Sequence, residues 1–211
     1  MSEALRRQLI STAKAMNACG LNQGTAGNLS ARFESGLLIT PSGMEYEKLT
    51  THDIVWMDFD GFPRGRHRPS SEWRFHAAIY RERPEAQAVL HAHPVHCTAL
   101  ACLDKGIPAF HYMVAIAGGR DIRCAEYATF GTAELSAQVI RALRGRKACL
   151  MAHHGLTCFD EDLPGVLALA QEVEQLASIY CRTLAIGGPV ILSGAKMDRV
   201  LEKFKTYGVY K

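Results

Sequence analysis

Ala88-Val89-Leu90-His91-Ala92-His93-Pro94 is the stretch from which the rest of the chain can be read. Its first six residues are a short, mostly apolar run, which at this length reads as a strand, and Pro94 is well placed to open the next helix. On a strand, residues two apart point to the same face, so His91 and His93 can present both imidazoles to one ion. Two imidazoles leave such a site incomplete. Zinc needs at least a third protein ligand and, for catalysis, an open position. A bare His-x-His pair more often marks two histidines that only pack, so the remaining ligands have to be sought elsewhere.

Working outward, residues 148–152 form a second apolar strand that runs into His153-His154-Gly155. Adjacent strand residues face opposite ways, so one histidine of that pair can reach the metal, and spacing leaves open which. A helix over about 71–83 must stop near Pro84. Glu72, opening that helix after Pro69-Ser70-Ser71, is a candidate carboxylate ligand. His96 and His111 read as supporting or packing residues. Leu5, Leu9, Ala13 and Met16 share one face of a first helix, which Gly20 can end. Residues 37–40 and 54–58 read as strands, the first stopped by Pro41 and the second entering an Asp60-Gly61 turn. Val166, Leu169, Val173, Leu176 and Tyr180 stripe a long helix over 164–185, closed by Gly187-Gly188-Pro189. A last helix covers roughly 196–204. No repeat or linker divides the chain, so a single domain over residues 1–211 is expected. The mix of strands and helices predicts an α/β or α+β architecture, and their alternation leans towards a parallel sheet.

Three polar turns could hold an oxyanion. In Leu21-Asn22-Gln23-Gly24-Thr25-Ala26-Gly27-Asn28 the glycines allow close backbone approach, while Thr25 and Asn28 offer side-chain donors. Thr40-Pro41-Ser42-Gly43 and Ser70-Ser71 add small donors, and Ser71 could cap the helix that starts at Glu72. None of these is a Walker loop or a dinucleotide fingerprint. Ordinary polar turns would use the same residues.

Composition narrows the function classes. The chain has 211 residues, 48% hydrophobic and 21% charged, enough for a full core in one domain. A formal charge of +3, with basic clusters that lack interleaved aromatics, does not suggest nucleic acid as a partner. No 18-residue apolar stretch exists, so no membrane span is expected. Arg6 and Arg7 lie inside an amphipathic pattern and not ahead of an apolar run, so no export signal is expected. Seven cysteines without a CxxC pair read as reduced thiols, and a cytoplasmic location follows as the default.

Eight segments, in order and nearly end to end, resemble the class II aldolases of the L-fuculose-1-phosphate aldolase type. They are GLNQGTAGN at 20–28, LITPSG at 38–43, PSSEWRFH at 69–76 and HAHPVHCTA at 91–99. IPAFHYMVAIAGG at 107–119, YATFGT at 127–132, HHGL at 153–156 and LEKFKTYG at 201–208 complete the set. The resemblance implies a three-layer α/β/α domain of the aldolase and adducin-head type, its central sheet largely antiparallel. It further implies a C4 homotetramer with active sites at subunit interfaces. It carries Zn2+ onto His91, His93 and His154 with Glu72 as the carboxylate, Co2+ or Mn2+ being alternatives. The phosphate pocket falls on Thr25, Gly27, Asn28, Ser42, Gly43, Ser70 and Ser71. Tyr112 matches an acid/base tyrosine contributed by a neighbouring subunit, and Phe130 and Tyr207 match residues at the aldehyde end. Relatives often carry Thr-Gly where Ser42-Gly43 stands, which keeps the hydroxyl.

The activity implied is retro-aldol cleavage of a ketose 1-phosphate, L-fuculose 1-phosphate first, to dihydroxyacetone phosphate and L-lactaldehyde. Glu72 would leave the metal to handle the C3 proton, its basicity raised by a wall of Trp73 and Phe75. The alternatives are 5-deoxyribulose 1-phosphate or 5-methylthioribulose 1-phosphate as substrate. A pentulose-phosphate 4-epimerase, a methylthioribulose-phosphate dehydratase and a non-catalytic adducin-like module share the scaffold. The TAGN, SSEW and FHYM strings favour an aldolase.

Overall fold

The computed structural model describes residues 2–206. In chain order its elements are α1 (Ser2–Ala18), β1 (Asn28–Phe33), β2 (Gly36–Ile39), β3 (Val55–Asp58), β4 (Pro63–Arg64) and α2 (Trp73–Glu82). There follow β5 (Ala88–Ala92), α3 (Val95–Ala101), β6 (Arg123–Ala125), α4 (Ala133–Ala142), β7 (Ala148–Met151), β8 (Gly155–Asp160), α5 (Leu163–Ala185) and α6 (Gly194–Phe204). The strands form one sheet in the order β4-β3-β2-β1-β5-β8-β7-β6. Strand β5, the stretch that opened the reading, lies near its middle and is buried along its whole length.

The lean towards a parallel sheet is corrected here, because among the described residues the only parallel pair is β6 with β7. A parallel neighbour needs a crossover of a dozen or more residues, whereas β1 joins β2 through Glu34-Ser35 and β7 joins β8 through Ala152-His153-His154. Glu34 and His153 take φ values of 54° and 53°, the left-handed bends that let such short connections close. The expected strand over 148–152 therefore ends at Met151, and His153-His154 occupy a turn.

Alternation along β5 separates two cores. Ala88, Leu90 and Ala92 join Leu9 of α1, Leu100 of α3 and Val166, Leu169, Val173 and Leu176 of α5. Val89 faces the other way, to Phe75 and Ile79 of α2 and Leu135 and Val139 of α4. Helices thus cover both faces of a mostly antiparallel sheet in three layers. Each fully buried Leu, Val or Phe contributes about 1.5–3 kcal/mol, so the α5 stripe alone secures that face. Asp162 caps α5 by accepting from Gly165 N, with Pro164 in the first turn. Helix α2 ends at Arg83, before Pro84.

All seven cysteines are free. Among the described residues, no helix is long and apolar enough to cross a membrane.

Candidate metal centre

His91 follows Val89 on the α2 side of the sheet, and the register places Asn28 of β1 directly opposite it. The start of α2 then brings Glu72 over the pair. Glu72 Oε2 lies 3.1 Å from His91 Nε2 and accepts from Asn28 Nδ2 at 3.0 Å. His93, just past the end of β5, points its Nε2 to 2.9 Å from that of His91. The β7–β8 turn delivers His154, whose Nε2 is 3.2 Å from Glu72 Oε1. Ligand atoms of His91, His93 and His154 all lie within 4.8 Å of one another. Of the adjacent pair, His154 enters the cluster. His153 is exposed and approaches Asp104 at 3.6 Å, because turn geometry, and not strand alternation, separates the two side chains.

The donor set suits a divalent cation. His91 Nδ1 sits 2.9 Å from the carbonyl of Leu156, which can only accept, so in a neutral ring that nitrogen carries the proton and Nε2 carries a lone pair. The His91–Glu72 contact is then one acceptor facing another, and Glu72 Oε1 is buried with no hydrogen-bond partner among the described residues. A cation between these atoms resolves both. Burial is the main cause that pushes His93 and His154 down to about 4, so both rings are neutral and free to ligate at pH 7. Burial alone would raise Glu72, but His91, His154 and the Asn28 amide outweigh it and hold the carboxyl well below the usual range. Of the expected apolar wall, Phe75 meets His91 edge-on at 5.6 Å, while Trp73 packs over Gly61.

A cleft of about 280 Å³ opens beside these ligands. Ser71 and Phe130 line it along with Glu72, His93 and His154, and so do His153 and two residues without a sequence-based site role, Tyr127 and Ala128. Of the three polar turns, the one at Ser70-Ser71 reaches the cleft through Ser71, and backbone and side-chain hydrogen bonds tie the turns to one another and to their neighbours. Ser42 N donates to Arg68 O, Ser70 N donates to Thr40 O, and Tyr46 OH donates to Gly27 O. Thr25, Ser42, Gly43 and Ser71 are exposed. Asn28 differs, being buried with its amide engaged by Glu72 and His76. The expected cap also shifts by one residue. The α2 N-cap is Glu72 itself, and Ser70 Oγ, not Ser71, accepts from Glu72 N at 3.3 Å.

Tyr112 opens a 3-10 turn, is half exposed and does not line the cleft of its own chain. Tyr207 lies outside the described residues. His96 binds Glu174 at 2.8 Å and His111 caps its own 3-10 turn, so both are structural. Asn22 was also missed. Its Oδ1 accepts from His93 N at 3.0 Å and holds that ligand's backbone. Two apart on β1, Asn28 and Ser30 share a face, and Glu72, His76 and Tyr80 recur every four residues along α2. Those two periodicities could have exposed the buried polar cluster they form.

Comparison with known proteins adds three findings. The family described as class II aldolase and adducin N-terminal domain matches residues 7–181. The chain is 57% identical to a 5-methylthioribulose-1-phosphate/5-deoxyribulose-1-phosphate aldolase of Rhodospirillum rubrum, over 97% of this chain and 93% of that one. It is 56% identical to an L-fuculose phosphate aldolase of Escherichia coli, over 97% and 96%. A solved L-fuculose 1-phosphate aldolase superposes with a TM-score of 0.94 at 40% identity, covering 97% of this chain and 98% of the other.

Proposed function

This chain belongs to the class II aldolase and adducin N-terminal domain family, and from that premise we propose that it cleaves a ketose 1-phosphate to dihydroxyacetone phosphate and an aldehyde. The preferred substrate in this reading is L-fuculose 1-phosphate, with L-lactaldehyde as the second product. The observation that carries the reading is the convergence of His91, His93 and His154 on Glu72. A non-catalytic relative would have no use for four such ligands around a cleft.

Three imidazoles and a carboxylate suit zinc, with Co2+ or Mn2+ as substitutes. Held there, a divalent cation would supply the positive charge that stabilises the enediolate left when the C3–C4 bond breaks. In the cleavage direction Glu72 delivers a proton to C3 of the enediolate, matching the one that leaves the C4 hydroxyl, and in the reverse, aldol direction its carboxylate removes that C3 proton. The phosphate sits among Thr25, Gly27, Ser42, Gly43, Ser70 and Ser71, with Asn28 beneath them, which fixes the reacting carbons by orientation. Tyr112 of a neighbouring subunit handles the proton on the C4 oxygen, and Phe130 and Tyr207 shape the aldehyde end. This requires active sites shared across a homotetramer, a reading supported by the exposure of Tyr112 outside its own cleft. Seven free thiols support a cytoplasmic location.

A second substrate class is favoured by the Rhodospirillum rubrum relative, at an identity within one percentage point of the fuculose-type relative. The deciding experiment compares release of dihydroxyacetone phosphate from L-fuculose, 5-deoxyribulose and 5-methylthioribulose 1-phosphates. The highest kcat/KM on the first supports the proposal. The highest on either of the others moves the assignment to the second class, and release from none of them overturns the aldolase reading.

A further inference from the structure

Between β1 and α2 lies a line of polar side chains of which the chemistry above uses only Asn28 and Glu72. Ser30 and His76 are fully buried, Tyr80 is 2% exposed and Asn28 3%. Polar groups this deep are costly unless each finds a partner. Here each does. Tyr80 OH lies 2.9 Å from Ser30 Oγ, Ser30 Oγ 2.7 Å from His76 Nδ1, His76 Nε2 2.5 Å from Asn28 Oδ1, and Asn28 Nδ2 3.0 Å from Glu72 Oε2.

We propose that His76 is a positioning residue, and that the chain Tyr80–Ser30–His76–Asn28–Glu72 orients the carboxylate that the functional reading above makes the base. The direction of every bond follows from one end. An ionised carboxylate only accepts, so Asn28 must turn its amino group towards Glu72. That leaves Asn28 Oδ1 facing His76, so His76 Nε2 must carry the ring proton and donate. Nδ1 of the neutral ring is then an acceptor, which takes the Ser30 hydroxyl, and Ser30 Oγ in turn accepts from Tyr80. Burial supports the neutral ring, pushing His76 down to about 3. Phe75 stacks on the imidazole with ring centroids 4.8 Å apart and covers one of its faces. Glu72 Oε2 is thereby held by Asn28, while Oε1 has no hydrogen-bond partner among the described residues and remains the oxygen available to a proton. Asn28 serves this line more directly than it serves an anion.

The test uses the full-length, metal-loaded protein. His76→Phe keeps the ring volume and removes both nitrogens, and His76→Gln restores a donor near the Nε2 position. Expected for His76→Phe are normal metal content, a KM within about twofold, and a kcat lower by about ten- to hundred-fold, the usual effect of losing such a supporting partner. His76→Gln should recover most of that loss. Independently of any substrate, nitrogen NMR of histidine-labelled wild-type protein should show His76 protonated at Nε2 and bare at Nδ1. A His76→Phe kcat within about twofold of wild type would overturn the proposal, as would the opposite tautomer. So would loss of metal and turnover together without rescue by glutamine, which would make His76 merely structural. If wild-type protein released dihydroxyacetone phosphate from no ketose 1-phosphate, the functional reading would fail. The tautomer, read without substrate, would still decide the fate of the line.

Discussion

Replacing Gly27 by alanine should damage the metal site from outside its ligand set. Gly27 has φ +75°, and a Cβ built there would stand 2.6 Å from the carbonyl oxygen of His91 and closer still to the Asn22 amide. Real Cβ contacts do not fall under 3.0 Å, so something must move. Both neighbours matter to the site, because His91 is a ligand and Asn22 holds the backbone N–H of His93. The left-handed conformation costs an L-residue about 1–2 kcal/mol. Overpacking against immobile backbone adds about 1–3 kcal/mol, for a total of about 2–5. Gly24→Ala is the matched control, with φ +63° and nothing within 4 Å of its Cβ, so it should lose only the first amount. The difference of about 1–3 kcal/mol corresponds to a Tm about 2–12 °C lower for Gly27→Ala in a chain of this size. Thermal melts at one protein concentration measure this, and chelator competition should show weaker metal binding for Gly27→Ala alone. Equal stability and equal metal affinity in the two variants would refute the reasoning.

Glu72→Gln should retain metal on the three histidines and lose about 10²–10⁴-fold in turnover, measured as release of dihydroxyacetone phosphate with metal content assayed in parallel. Near-normal turnover with metal bound would remove Glu72 from its assigned role. In the metal-stripped protein, His93 and His154 at about 4 and His76 at about 3 lie below their ordinary value of 6.5. The unfolded chain then binds more protons between those limits, so stability is fully present above about pH 6.5 and falls as pH drops towards about 4. Melts at about pH 7.5, 6 and 5 should show a declining Tm, and a constant or rising one contradicts the assignment. If Tyr112 acts in a neighbour's site, mixing inactive Tyr112→Phe and Glu72→Gln subunits should regenerate turnover in sites built from one intact half of each. No recovery after demonstrated subunit exchange would return Tyr112 to its own chain.

The parts of the fold legible in the sequence are those where one physical signal dominates. The stripe on α5 and the apolar run of β5 are wholly buried, so hydrophobicity alone marks them. Strand β1 reads in the sequence only as the end of a polar loop, because one of its two buried faces carries Asn28 and Ser30, polar residues satisfied by partners far along the chain. Without β1 the hairpin with β2 was invisible too, and its Glu34-Ser35 turn lacks the Asn-Gly or Asp-Gly that would announce it. The antiparallel sheet came from the family resemblance, since alternating strands and helices are equally consistent with crossovers. At the site, the spacing of His91 and His93 was readable on a strand. The choice of His154 over His153 was not, because it depends on a left-handed turn that places His153 outside the ligand cluster. His76 and Tyr80 were hidden for the same reason as β1, since their partner face was unread.

The most direct test of the central claim is to measure metal content and dihydroxyacetone phosphate release side by side in wild-type protein and His93→Ala. The account predicts about one divalent cation per chain in the wild type, removed by a chelator together with turnover and restored with it by zinc. His93→Ala should lack both. Full metal in His93→Ala, or wild-type turnover that survives complete removal of the metal, would contradict it.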